Sequence, residues 1–512
     1  MQQLSPMDAT FLYLENETTH AHGTLVWLYD AKDCPPDTIS RKALLDHMRK
    51  RVGVSPIFTR KVLRLPFDFD YPYWVDAPGF ELLYHVREAS IGKNGSWKDF
   101  CQLVATTHSQ PLDQDHPLWE MTLVKNLDNI PGLPARCFAI LGKFHHVAID
   151  GATGMQIIEG IHDLPEQPST ASLLDAREAR SPSLGESLYR AAIRNIGALD
   201  NGLKLLGLGS TPTTDAEAEA VIAPSPIAEP DPDPDPSGLP QTLFNQAVSN
   251  ESSWDSRGFD LATIKSLRAL ANGSTVNDVL LTIVAGGLRH YLRGRDALPD
   301  QAMKAGCPVN IRTESEAGTG GNKISAIIIS MHTNIDDPIE RLQAITRSST
   351  AAKKKASARG SRKILDITSI VPAQAQALLG HLAGKVTGVL NRAVAFNGSV
   401  SNLPGPQQEL RILGGRLQSI GAAMPVMNGY GLFVGLTTCA GVLRISVTSS
   451  ANIIPDPDEL GDCMERSFHE LTHSITTTTR TKSKKIRKPK KITERSRAAS
   501  KKTIVKPKRK SK

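Results

Sequence analysis

Residues 145–151 read HHVAIDG: two adjacent histidines, then Val-Ala-Ile, then Asp-Gly. Three kinds of chemistry use such a grouping. His145, His146 and Asp150 are all possible metal ligands. Adjacent side chains at a strand end point to opposite faces, however, and no Cys/His cluster elsewhere completes a shell, so no metal is expected. A pair of histidines satisfied inside a core is the second reading. The third is general-base catalysis, because an imidazole near its ordinary pKa takes a proton from an alcohol or amine at neutral pH. One histidine then faces a cleft and the other packs. Asp150 would fix the loop by pairing with an arginine, and Gly151 would permit a turn that a Cβ obstructs. No serine or cysteine nucleophile is needed if the acceptor substrate attacks directly.

The motif must be held by its neighbours. CFAILGKF (137–144) reads as a buried strand running into the histidines, and GMQIIEGIHDL after Gly151 has helical apolar spacing, so the motif falls at a strand-to-helix junction. GTLVWLY (23–29) reads as a further strand. In the second half, TVNDVLLTIVAGGLRHYL (275–292) is helical with Thr275 as its cap, and CPVNIR (307–312) and ISAIIIS (324–330) are strand-like. Residues 426–450 read as two strands around a turn at Ala440-Gly441. Residues 184–206 have an amphipathic helical pattern, which suits docking on the body or contact with lipid. The predicted fold class is mixed α/β (α+β). The expected division is an N-terminal domain over 1–208, a Pro/Asp-rich linker over 209–240, a C-terminal domain over 241–479 and a disordered basic tail over 480–512.

Charge is unevenly placed along the 512 residues. Seventeen of the 60 Lys and Arg lie in 480–512 beside a single acid, Glu494, so the tail carries +16 and the rest of the chain −8. Such a tail suits an anionic membrane or lipid-droplet surface, or non-specific contact with nucleic acid, since it has no aromatic residue for base stacking. The six cysteines are scattered without a C-x-x-C pair, which argues against a disulfide framework. No secretory leader and no apolar run of membrane-spanning length is visible, so the expected location is cytoplasmic, with peripheral attachment to the inner membrane or lipid droplets.

HHVAIDG matches the HHxxxDG motif of the chloramphenicol-acetyltransferase-like acyltransferases. LSPMDATFLYLE (4–15), PLDQDHPLWEMTLV (111–124), TVNDVLL (275–281), CPVNIR, GNKISA (321–326) and SNLPGP (401–406) follow in the order of one branch. Across residues 4–475 the chain resembles the bacterial wax ester synthases/diacylglycerol acyltransferases. The resemblance implies two acetyltransferase-like domains with the active site between them. It implies acyl transfer from acyl-CoA, as co-substrate and without a cofactor, to diacylglycerol or a fatty alcohol. It also makes His146 the base and His145 its support, with Asp150 and Gly151 shaping the loop. Asn277 and Asp278 are implied near the active site, and Pro117, Leu118 and Trp119 along the acyl pocket, packing being the other reading of these three. Two alternatives stand beside this one: acylation of an amine or small acceptor, and a non-catalytic lipid-surface or nucleic-acid-binding protein that works through its tail.

Overall fold

A computed structural model describes residues 2–35, 37–149, 151–164, 239–310, 324–359, 395–406 and 408–486. Asp150, the 184–206 stretch expected to be helical, nearly all of the linker and the tail beyond Ile486 lie outside these. The strands are β1 (Gln2–Gln3), β2 (His22–Asp30), β3 (Arg60–Leu63), β4 (Tyr73–Asp76), β5 (Val86–Ser90), β6 (Trp119–Lys125), β7 (Cys137–His145) and β8 (Ser252–Asp260). They continue as β9 (Lys304–Asn310), β10 (Ile324–Ser330), β11 (Gly398–Leu403), β12 (Arg411–Ile412), β13 (Gly415–Ala423), β14 (Leu432–Cys439) and β15 (Val442–Ser450). The helices are α1 (Pro6–Tyr13), α2 (Arg41–Arg49), α3 (Leu82–His85), α4 (Trp97–Ser109), α5 (Gly151–Ile161), α6 (Leu261–Leu267), α7 (Val276–Arg293), α8 (Pro338–Arg359) and α9 (Pro457–Ile486).

Two six-stranded sheets carry the architecture, β12-β13-β2-β7-β6-β5 and β10-β9-β11-β14-β15-β8, with a small β1-β4-β3 sheet beside them. The first has β7 near its middle, and every residue of β7 is buried. A strand buried on both faces reads as a continuous apolar run, which is why CFAILGKF shows no alternation. The second sheet packs on α7, whose buried residues run from Asp278 to Leu292, with α8 and α9 beside it. Thr275 caps α7 as expected: its side chain accepts from the Asp278 amide and the Asp278 carboxylate accepts from the Thr275 amide. The β14–β15 turn has φ of +47° at Ala440 and +82° at Gly441, the paired left-handed geometry that suits a tight hairpin.

Two findings revise the expected division. β12 and β13 belong by sequence to the C-terminal half, yet β13 pairs antiparallel with β2 from Arg416–Asp30 to Ala423–Thr24. The N-terminal sheet is therefore completed by residues 411–423. The same strand reaches the other sheet, where the amides of Ala422 and Met424 donate to Ser446 Oγ and Thr448 Oγ1, both at 3.2 Å. Trp254 of β8 pins this junction. Its indole N–H donates to the Ala422 carbonyl at 3.1 Å and its ring packs into an N-terminal cluster with Val26, Leu28 and Leu141. Secondly, α9 continues to Ile486, so the stretch read as a foldless tail from residue 480 begins inside a helix. Lys and Arg are good helix formers, and composition alone does not mark where such a helix stops.

In the SNLPGP segment, a Cβ on Gly405 would lie 1.6 Å from the Thr438 carbonyl oxygen, so the backbones cross there only because the residue is glycine. The six cysteines are free thiols. No helix among the described residues is long and apolar enough to cross a membrane.

Candidate active site

The histidines are clamped by backbone before any side chain acts. The His145 amide donates to the Leu118 carbonyl at 3.1 Å and the His146 amide to the Ala21 carbonyl at 2.8 Å. The β6 ladder thus gains one bond beyond Trp119, and the β2 ladder one bond past the end of β7. The Ala148 amide returns to the His145 carbonyl at 2.9 Å, turning the chain out of the sheet towards α5.

His145 points into the protein and is 1% exposed. Its Nδ1 accepts from the Val147 amide at 3.1 Å, which leaves the proton on Nε2, 3.2 Å from Glu15 Oε1. Glu15 is a hub. Its Oε1 also accepts from the Ala21 amide at 2.9 Å, and its Oε2 from Gln114 Nε2 at 2.9 Å. Burial alone would push the Glu15 carboxyl up; the bonds from His145 and Ala21 outweigh it and hold it below its ordinary value. The His145–Glu15 pair therefore ties the N-terminal segment, the entry to β2 and the loop before β6 to one point.

His146 faces the other way and is half-buried. Phe11 stacks on its ring, centroids 5.2 Å apart at 23°. Phe11 sits on α1, a helix specified by Ser5 at the N-cap, which accepts from the Asp8 amide at 3.1 Å, and by Pro6 in the first turn. Burial, with the neighbouring His145, lowers the His146 pKa to about 4, so the ring is neutral and able to accept a proton at pH 7. Among the described residues no group of three His, Cys, Asp or Glu is placed to hold a metal.

The other expected site residues are distributed as follows. Gly151 opens α5, and Asp150 lies outside the described residues. Pro117 and Leu118 are buried, and Leu118 packs with Leu4, Leu12 and Val147, so its part is to hold the strand end under the histidines. Trp119 is 1% exposed. It is stacked on His85 at 4.4 Å, edge-on to Phe58 at 5.0 Å, and donates to the Phe58 carbonyl at 3.0 Å. These contacts are those of a core tryptophan. Asn277 is half-buried in the first turn of α7. Asp278 is buried; its Oδ2 accepts from the Thr275 amide and hydroxyl, both at 2.8 Å, and its Oδ1 from Ser349 Oγ at 2.5 Å. Oδ2 thus closes the N-cap of α7 and Oδ1 ties α7 to α8.

Residues that the motif does not announce complete the electrostatics. His22 Nε2 lies 2.7 Å from the His108 carbonyl, and His108 Nδ1 lies 3.0 Å from Thr24 Oγ1. Beneath them the ammonium of Lys143, 1% exposed, meets Glu120 Oε2 at 3.1 Å and the Gln110 carbonyl at 3.0 Å. Burial above all, with this positive charge among the further causes, lowers the pKa values of His20, His22 and His108. Spacing offers no sign of these partners; only Glu15, a carboxylate closing an otherwise apolar stretch, leaves a trace in the sequence. A groove of about 360 Å³ between α4 and β8, lined by Lys98, Gln102, Ser252 and Asp458 among others, contains none of the motif residues.

Two expected results follow from this network. Glu15→Ala leaves the Ala21 and Gln114 donors without their acceptor and His145 without its neighbouring carboxylate, so it should cost about 2–3 kcal/mol in a denaturant titration and lower kcat; Glu15→Gln keeps an acceptor and should recover most of the stability. Equal stability of the alanine variant and wild type would remove Glu15 from this role. The second concerns pH. His85, His146 and His162 have pKa values lowered to about 4 and His108 to about 3, by burial in each case, against about 6.5 for an unfolded histidine. Between these values the unfolded chain binds more protons than the folded one, so stability is complete above about pH 6.5 and is lost as pH falls towards 4. Melting temperature should decline steadily from pH 7 to pH 5; a flat profile would contradict the buried neutral imidazoles.

The site is thus a half-buried histidine at a strand–helix junction, backed by a buried partner histidine, in the first of two six-stranded sheets. Residues 4–280 match the wax ester synthase/diacylglycerol acyltransferase catalytic domain and residues 320–472 the WS/DGAT C-terminal domain. The chain belongs to that family and is an acyltransferase. It is 28% identical over 462 residues to the O-acyltransferase WSD of Acinetobacter baylyi, covering 89% of this chain and 93% of that protein. It is 27% identical over 492 residues to a probable diacylglycerol O-acyltransferase of Mycobacterium tuberculosis, covering 93% of this chain and all of that one. Its fold is similar to the wax ester synthase/diacylglycerol acyltransferase of Marinobacter aquaeolei, with a TM-score of 0.66 at 22% identity over 93% of this chain and 99% of that one. The trichothecene 15-O-acetyltransferase of Fusarium sporotrichioides aligns with a TM-score of 0.53 at 9% identity, over 92% and 95%.

Proposed function

We propose that this protein moves a long-chain acyl group from acyl-CoA to diacylglycerol or a fatty alcohol, giving triacylglycerol or wax ester, with His146 as the base. The observation that carries the reading is the neutral imidazole of His146, reachable from solvent on one side and backed by Phe11, in a chain that has both domains of the family. The hydroxyl of the acceptor gives its proton to His146 as its oxygen bonds to the thioester carbon. Negative charge gathers on the former carbonyl oxygen, and Asn277 is the donor assigned to meet it. Collapse breaks the carbon–sulfur bond; the CoA thiolate leaves and takes the proton back from the imidazolium. The low pKa of His146 in the free protein does not oppose this, because the developing oxyanion favours the charged ring beside it. The co-substrate is acyl-CoA, and the chemistry requires no further cofactor.

The acceptor and the acyl chain of the donor are apolar, so the protein works at a lipid surface, attached peripherally. The tail, with seventeen cationic residues from Arg480 onwards, suits an anionic one, each charge contributing about 1 kcal/mol close to the membrane. Removal of the tail is expected to weaken binding to anionic liposomes more than binding to duplex DNA. The test of the reaction is thiol release from palmitoyl-CoA with dioleoylglycerol or hexadecanol. Release that depends on the acceptor supports the proposal, and the better acceptor names the activity. Release that ignores both, from folded protein, would sink it.

A further inference from the structure

Arg341 of α8 lies where α7, α8 and α9 meet, and it is 1% exposed. The protein uses only one corner of its guanidinium. Nη1 donates to the Ile335 carbonyl at 2.8 Å and the Asp336 carbonyl at 3.4 Å, both in the loop before α8. Nε and Nη2 form the side-on edge of the fork, the edge that grips an anion with two parallel bonds. Both are buried, and neither has a hydrogen-bond partner. Ser467 of α9 is fully buried, and its Oγ has no partner either. These groups converge. A Cβ on Gly286 of α7 would fall 2.7 Å from Arg341 Nη2 and 2.1 Å from Ser467 Oγ, so the glycine lets α8 and α9 bring their donors to one point. The carboxylates around Arg341 are engaged elsewhere. Glu470 meets His290 Nε2 at 3.0 Å and Arg466 Nε at 3.4 Å. Asp336 takes the guanidinium groups of Arg289 and Arg293, both at 2.9 Å. Asp337 accepts from the Ile339 and Glu340 amides at the start of α8, both at 2.8 Å. Arg289, the other cation near this point, adds positive charge.

We infer that the Nε–Nη2 edge of Arg341 and the hydroxyl of Ser467 bind a small monovalent anion of the halide class, chloride being the common one, which locks α7 to α8 and α9. Three features select this ligand. The site offers donors only, two of them backed by a full positive charge. Burial above all pushes the Arg341 pKa down to about 10, so the group still carries that charge at neutral pH. A buried charge is costly unless something negative meets it; a water molecule would satisfy the hydrogen bonds and leave the charge. Lastly, the donors are enclosed by three packed helices and do not reach solvent. A sulfate or phosphate would bring more oxygens and more charge than three donors can meet there. The site lies about two turns along α7 from Asp278, whose Oδ1 accepts from Ser349 of α8, so the anion adds a second tie between these helices.

The test follows thermal unfolding of the full chain at constant ionic strength while gluconate, too large for the site, is exchanged for chloride or bromide. The melting temperature should rise along a saturating curve, by about 2 °C or more at about 0.2 M halide. Arg341→Met should abolish the rise. Ser467→Ala removes one donor and leaves the charge; it should fold as wild type does and raise the half-saturating halide concentration at least about tenfold, the scale of one hydrogen bond to an ion. The basic tail is common to every form, so its own salt response cancels in the comparison. Anomalous scattering from crystals soaked in bromide should place a peak between Arg341 and Ser467. Density there without an anomalous signal marks an ordered water only and overturns the site. Equal melting temperatures in chloride and gluconate overturn it too, as does a rise of the same size in Arg341→Met. Turnover enters none of these readouts, so failure of the anion site and failure of the acyl-transfer reading are separate outcomes.

Discussion

His146→Ala is expected to lower kcat/KM for acceptor-dependent thiol release by roughly 10²–10⁴-fold, the usual contribution of a positioned general base. The variant should fold normally, because the His146 backbone amide, not its ring, bonds to Ala21. Its ring is half-buried against Phe11, so truncation leaves a dent at the site and little strain. A pH profile separates loss of the base from a general disturbance. With its pKa lowered to about 4 by burial and by His145, His146 is neutral through pH 6–8, so kcat/KM of wild type should be flat there and decline only on the acid side. Wild-type turnover from a well-folded His146→Ala protein would remove the histidine from the mechanism altogether. An acid limb centred near pH 6.5 would show a solvated imidazole unlike the one the site contains.

Glu120→Ala carries the largest expected cost in stability, about 3–5 kcal/mol, because it strands a buried ammonium. Glu120 and Lys143 are cross-strand partners in the β6–β7 ladder, 3.1 Å apart at their charged ends, with Lys143 1% and Glu120 5% exposed. Arg87 adds a second contact to Glu120 at 2.6 Å from the outer side. Burial pushes the Lys143 pKa below its ordinary value, and Glu120 is what opposes that. With the carboxylate gone, the lysine either remains charged without a counterion or gives up its proton, and both cost free energy. The double substitution Glu120→Ala, Lys143→Met should recover most of the loss, since an apolar pair needs no compensation in that position. A denaturation midpoint that is unchanged in the single variant, or no better in the double, would show that the pair does not hold the strand. Activity should track stability in the single variant, because Lys143 lies two residues before His145 on the same strand.

The sequence by itself determined the immediate setting of the histidine motif. HHVAIDG falls at a strand end because CFAILGKF is apolar without a break and the residues after Gly151 repeat at helical spacing; both signals lie within a dozen residues. Thr275 and Asp278 cap α7 through bonds that span three residues, and Ala440-Gly441 turns a hairpin whose strands adjoin it, so these too could be read locally. The tertiary structure alone decided what these pieces meet. Glu15 reaches His145 across 130 positions, and residues 411–423 leave their own half to complete the first sheet, because strand partners are chosen by which edges and faces the packed domains leave open. Trp119, which the resemblance implies along the acyl pocket, packs against Phe58 and His85, and Asp278 closes a helix end. A lysine inside β7 makes sense only once its register against β6 brings Glu120 opposite. The residue types announce the imidazole; the long-range pairings decide how it is kept neutral and backed.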